Sequence, residues 1–205
     1  MKYFSRHAVE LSVLFGLLCA VLLSTARFDA ACDDLRHNVL RLHIIANSDS
    51  DADQAVKIKV RDRILEETSA VFENKTNLDE AENAVWERLG EFEEIAKSVL
   101  CENGFDYGAA AELGTDYFET REYESFTLPA GNYRSLIIRL GKADGKNWWC
   151  VVFPAVCVPA ASPDARLSDS ASEESALIAE HPQKYIMKFK AVEIYEDFKR
   201  RLKSK

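Results

Sequence analysis

His43, Ser48 and Asp49 stand close together and are the residue types of acyl transfer: an imidazole base, a hydroxyl nucleophile and a carboxylate to orient the base. A nucleophilic serine of that kind is held on a sharp, glycine-flanked elbow. Ser48 instead lies between Asn47 and Asp49 at the mouth of an apolar-periodic segment, which is the setting of a helix cap. An exported hydrolase using His43 with Ser48 or Asp49 is therefore the alternative reading rather than the leading one. Asp49-x-Asp51-x-Asp53 has the opening spacing of a calcium loop, but Gln54 stands where the sharp turn needs glycine and Val60 where the bidentate glutamate belongs. The cysteines at 19, 32, 101, 150 and 157 form no Cys-x-x-Cys pair and no zinc-type grouping with histidine. Cys150 and Cys157 flank the Phe153-Pro154 corner, where an exported chain has either a disulfide or two thiols. No glycine-rich phosphate loop or dinucleotide fingerprint is present. The chain reads as no enzyme, with no metal, no cofactor and no small-molecule substrate.

The remaining chemistry is recognition chemistry. Val56, Val60, Ile64 and Val71 form one apolar stripe of a helix expected over 51–72, and Ile58, Leu65 and Phe72 form another. Lys57 and Arg61 fall in the arc between them, so each needs a carboxylate or carbonyl partner, with Asp49, Asp51 and Asp53 nearest in sequence. They either fix the strand-turn-helix geometry or join Asn47, Ser48, Asp49 and Asp53 in one polar recognition site. Downstream, Trp148 and Trp149 sit side by side in the apolar run ending at Phe153-Pro154. Consecutive strand residues point to opposite faces, so one tryptophan lies away from the helices as a candidate docking anchor.

These residues need a scaffold, and a chain of 205 residues with 47% hydrophobic and 29% charged residues is long enough to build one core. A net charge of −8 argues against nucleic acid, whose phosphates demand clustered Lys and Arg. Lys2 and Arg6, the apolar run 11–23 and the small residues 24–26 make an export signal, with cleavage near Ala26 favoured and an uncleaved membrane anchor as the competing outcome. The alternation over 39–45 predicts a half-buried strand. Two long helices follow, 51–72 and from Asn77 to Asn103-Gly104, then strands over 107–117 and 133–140 and the tryptophan strand. The last two strands are expected to form an antiparallel hairpin. The fold class is α+β, with two consecutive helices packed on a mainly antiparallel sheet. The boundaries are 1–26 for the signal or anchor, 27–159 for the domain, 160–183 for a mobile Ser/Asp/Ala-rich linker, and 184–205 for a terminal strand and short helix.

Two separated segments resemble a known family. Residues 40–50 (LRLHIIANSDS), continuing through Asp53-Gln54-Ala55 and 57–62, and the pair Leu128-Pro129-Ala130-Gly131-Asn132-Tyr133 and 147–154 with Cys157, are similar to the signatures of the stage II sporulation protein R family. The chain departs from the family pattern at Glu119, Arg121 and Glu124, where Pro, Lys and Gly are usual, and at Ala155 and Val158. The resemblance implies a signalling protein made in the forespore and exported to the space between the sporulation membranes. Its implied partner is a membrane-embedded aspartyl protease of the mother cell that processes pro-sigma E. Candidate partner-binding residues are His43, Asn47, Ser48, Asp49, Asp53, Lys57, Arg61, Trp148, Trp149, Phe153 and Pro154.

Overall fold

A computed structural model describes residues 2–72, 75–123, 126–155 and 167–203. The chain opens with helix α1 (Lys2–Asn38), which runs without a break through the expected cleavage position. Its first part is long and apolar enough to cross a membrane by length and composition. The large apolar side chains from Val9 to Leu23 are exposed, and burial begins at Phe28, continuing through Ala31, Cys32 and Leu35. The helix thus has two chemistries, an apolar rod and a domain-packing end.

Strand β1 (Leu40–Ile45) leads through the polar turn into α2 (Asp51–Val71). The expected second helix is two, α3 (Leu78–Glu87) and α4 (Leu89–Glu102), separated at Arg88, whose backbone (φ −116°, ψ 14°) leaves the helical region. Asn77 caps α3 by accepting from the Glu80 amide at 2.9 Å, and the Glu80 carboxylate accepts from the Thr76 amide. Then come β2 (Ala109–Phe118), the two-residue strands β3 (Arg121–Glu122) and β4 (Thr127–Leu128), β5 (Gly131–Leu140) and β6 (Asn147–Phe153).

The main sheet has the order β2-β5-β1-β6. β1 joins the tryptophan strand as expected, pairing antiparallel with β6 so that His43 lies opposite Trp149. The expected β5–β6 hairpin does not form, because β1 lies between the two strands and runs parallel to β5. The connection is instead drawn over the end of β1. Gly145 N donates to Ala46 O at 2.9 Å and Asp144 N to Asn47 O at 3.3 Å. A Cβ on Gly145 would lie 2.3 Å from the Ser48 carbonyl oxygen, so that clasp closes only on glycine.

Leu40, Leu42 and Ile44 of β1 pack with Leu136, Ile138, Cys150 and Val152 under α2, α3 and α4. This face is the main core, and it places the two helical segments on one side of a mostly antiparallel sheet. The other face is covered at one end by Leu35 and Val39, by Phe126 and Leu128, and by helix α5 (Glu173–Glu180) through Ala176 and Ala179. Residues 167–184, the described part beyond the start of the expected linker, therefore hold a short 3-10 turn, α5 and a second 3-10 turn rather than a loose segment. Ser172 caps α5 by accepting from the Ser175 amide, and small side chains do the packing. The terminal segment is likewise helical from the outset, α6 (Ile186–Lys203), with no extended stretch over 184–190. Cys150 is buried, and its expected partner Cys157 lies outside the described residues.

Candidate functional site

The polar turn closes on itself. Asp53, buried at the start of α2, accepts from Asn47 Nδ2 at 3.0 Å, Ser48 Oγ at 2.5 Å and the Tyr107 hydroxyl at 2.5 Å. Burial pushes its carboxyl upward, but the hydrogen bonds from Ser48, Tyr107, Asn47 and Ser50 outweigh it and hold the group below the usual aspartate range. Asn47 Oδ1 accepts from the Lys142 amide at 3.0 Å, and Asp49 Oδ1 accepts from the Lys146 amide at 2.7 Å. The 141–146 loop is tied to this turn by backbone and side chain alike.

Lys57 belongs to the same network without a salt bridge. Its ammonium is buried and donates to Gln54 Oε1 at 2.6 Å and Lys146 O at 2.8 Å, while Gln54 Nε2 donates to Ser48 O. Burial lowers its pKa from the ordinary lysine value, against the pull of the Asp49 charge. Of the two partners expected for it, a carboxylate or a carbonyl, Lys57 takes the backbone carbonyl of Lys146, with the Gln54 side-chain amide beside it. Arg61 stands apart from the network, bonded to Asp62 at 2.6 and 2.8 Å and lying 4.4 Å over the Trp148 ring.

A second group occupies the opposite face. Arg41 of β1 is fully buried, with its guanidinium carbon 3.9 Å from the centre of the Phe118 ring and 5.0 Å from that of Tyr133. Its Nη2 donates to the Tyr123 hydroxyl, whereas Nε and Nη1 have no hydrogen-bond partner among the described residues. His43, two residues along, bonds Asp116 at 2.5 Å through Nδ1, and its buried Nε2 is likewise unpartnered among the described residues. His43, Phe118 and Trp149 form a triangle of rings with centroids 5.9 to 6.1 Å apart. Arg121 lies 4.1 Å over the half-buried Trp149.

The candidate residues of the sequence therefore divide among three places. Asn47, Ser48, Asp49, Asp53 and Lys57 form the clasp, and Arg61 with Trp148 sits on the helix-covered face. His43 and Trp149 share the aromatic and cationic group on the other face. Phe153 and Pro154 are buried, Phe153 against Phe72 with ring centroids 5.9 Å apart. The two tryptophans do face opposite sides of the sheet. Sequence reasoning missed Arg41, Asp116, Phe118 and Arg121. The one local signal was Arg41 alternating with apolar residues in the same pattern as His43, which reads equally as a solvent-facing arginine.

Chemically, the His43–Asp116 pair has the makings of a base, but Ser48 directs its hydroxyl to Asp53 and not to His43. No group of acidic, histidine and cysteine side chains suited to a metal occurs among the described residues. The Leu128-Pro129-Ala130-Gly131 segment is a structural corner. Arg36 donates to Ala130 O at 2.8 and 3.1 Å, and the Tyr133 hydroxyl donates to Pro129 O at 2.6 Å. At Gly131 (φ +152°) a Cβ would strike Arg36 Nε at 2.3 Å.

Fold and geometry together define an α+β domain headed by a helix of the signal-peptide or membrane-anchor type, with its polar and aromatic residues arranged about one central strand. The family model described as Stage II sporulation protein R matches residues 36–162, and the chain belongs to that family of sporulation proteins. It is 34% identical over 150 residues to the Stage II sporulation protein R of Bacillus subtilis (strain 168), covering 70% of this chain and 67% of the relative. No solved structure matches the chain.

Proposed function

We infer that this protein is an exported forespore signal that activates the membrane-embedded aspartyl protease of the mother cell, which in turn processes pro-sigma E. The observation that carries the reading is the meeting of the two family-like segments: 40–50 and 147–154 lie side by side as β1 and β6, with the 141–146 loop bonded to the 47–49 turn. Segments far apart in sequence thus meet at β6, at the edge of the sheet. There Trp149, stacked by Arg121 and next to His43, is the half-buried aromatic most suited to a partner. The signal acts by contact and not by catalysis.

The test is genetic and direct. Deleting the gene should leave septation intact and abolish conversion of pro-sigma E, and Trp149→Ala should lower conversion about tenfold at unchanged protein level. Normal conversion in the deletion strain would remove the reading altogether.

A further inference from the structure

Helix α6 presents a second apolar surface that has no partner among the described residues. At about 100° per residue, Met187, Ala191, Ile194, Tyr195, Phe198 and Leu202 fall within one stripe. Phe189, Val192 and Glu196, on the opposite side, are the residues that pack against the protein. The stripe is open: Met187 is 83% exposed, Ile194 62%, Phe198 60% and Leu202 61%. Lys188 and Lys199 border it on one side and Lys190 on the other. The helix carries six Lys or Arg against three Asp or Glu, in a chain whose net charge is −8. Wide apolar face, basic borders and a tyrosine at the edge are the attributes of a helix lying in a lipid interface.

Its position supplies the occupant. Lys188 Nζ donates to Ser24 Oγ at 2.7 Å, directly after Leu23, the last exposed large apolar residue of the membrane-crossing part of α1. Phe28 packs on Tyr185 and Phe189 with ring centroids 5.7 and 5.1 Å apart, fixing α6 to α1 at that level. An open cleft of about 620 Å³ joins Leu22 and Thr25 of α1 to Met187, Ala191 and Tyr195 of α6, so the two apolar surfaces are continuous. Whenever the first part of α1 is in a bilayer, the start of α6 is held where the hydrocarbon ends and the headgroups begin.

We propose that α6 is an interfacial helix that seats the domain on the surface of an anionic phospholipid bilayer, with Met187, Ile194, Phe198 and Leu202 inserted below the headgroups and the flanking lysines among them. This role is independent of the protease reading. It fixes the height and tilt of the domain above the membrane, which α1 alone, as a single rod, leaves open to rotation.

The experiment uses the full chain inserted in vesicles of phosphatidylcholine with or without phosphatidylglycerol, some of the lipids brominated along the acyl chains. Phe198→Trp and Ile194→Trp each add an emission that is read against the parent protein, and Leu22→Trp reports insertion of α1. Bromolipids should quench the Leu22→Trp signal in both vesicle types. They should quench the α6 signals by about twofold or more in the anionic vesicles, and less in the zwitterionic ones. Quenching at Leu22→Trp with none at Phe198→Trp or Ile194→Trp would overturn the proposal. Absent quenching with a dimer by sedimentation would assign the stripe to a second copy instead. Equal quenching in both vesicle types would overturn the anionic requirement.

Discussion

At the scale of single residues, the two polar groups differ in how completely their bonding is satisfied. Asp53 accepts from three side chains, so its removal orphans several donors at once; Asp53→Ala is expected to lower stability by about 2–4 kcal/mol. Its folded pKa lies below the unfolded value, so this group's contribution is fully present above the ordinary aspartate pKa and is lost as pH falls through the lower folded value. Thermal melts from pH 6 downward should show a steep acid limb in the parent and a shallower one in Asp53→Asn; identical limbs would rule the carboxylate out as a source of acid lability. Arg41 is the opposite case, a buried cation with one hydrogen bond and two unpartnered nitrogens among the described residues. An apolar side chain of similar volume removes the desolvation cost of that charge, so Arg41→Met should keep or raise the melting temperature. A charge retained against stability points to use, and the same variant is expected to lose pro-sigma E conversion. A fall in melting temperature of several degrees would make Arg41 a structural residue.

At the scale of elements, the clasp ties the 141–146 loop to the end of β1 and so holds the β5-to-β6 connection over that strand. Gly145→Ala brings a methyl into the Ser48 carbonyl, and a cost of about 2 kcal/mol is expected, with amide exchange accelerated first over 46–50 and 141–147. Uniform acceleration across the sheet would mean that the loop does not open locally. The same region shows where the sequence was legible. Period and caps were enough for β1, α2 and β5, and for an α+β fold with helices on one side. The separation of β5 from β6 was not legible, because hairpin logic looks at neighbours in sequence while β1, which enters between them, comes from before all three helices of the core. β1 reads as half-buried because Arg41 and His43 alternate with aliphatics, yet all six of its residues are buried, the polar pair under aromatic rings. α5 was hidden for another reason: Ala171, Ala176 and Ala179 pack by closeness rather than by bulk, and their small side chains look like linker composition. In the candidate site, Asn47, Ser48, Asp49, Asp53 and Lys57 were legible as a group from their spacing at a helix start. Arg61 was not separable from them, since the sequence holds no sign that Trp148 would take it up.

At the scale of the whole molecule, α1 joins a membrane-type rod to a folded domain, and the change of environment falls between Leu23 and Phe28. Val9 to Leu23 contribute exposed side chains, whereas Phe28, Cys32 and Leu35 are buried against α6, α5 and the sheet's second face. Export processing near Ala26 would therefore remove the rod and leave the packing intact. Fully burying one such large apolar side chain is worth roughly 1.5–3 kcal/mol, so losing Phe28 and Leu35 together would consume much of an ordinary domain's stability. Arg36 lies just beyond them and holds the Ala130 carbonyl, so a cut past it would also release the corner that starts β5. Two truncations test this. A chain beginning at Arg27 should melt within a few degrees of the full-length protein in the same mild detergent, and one beginning at His37 should fail to fold or melt far lower. If the His37 chain were as stable as the Arg27 chain, the end of α1 would be an appendage, and the domain would begin at β1.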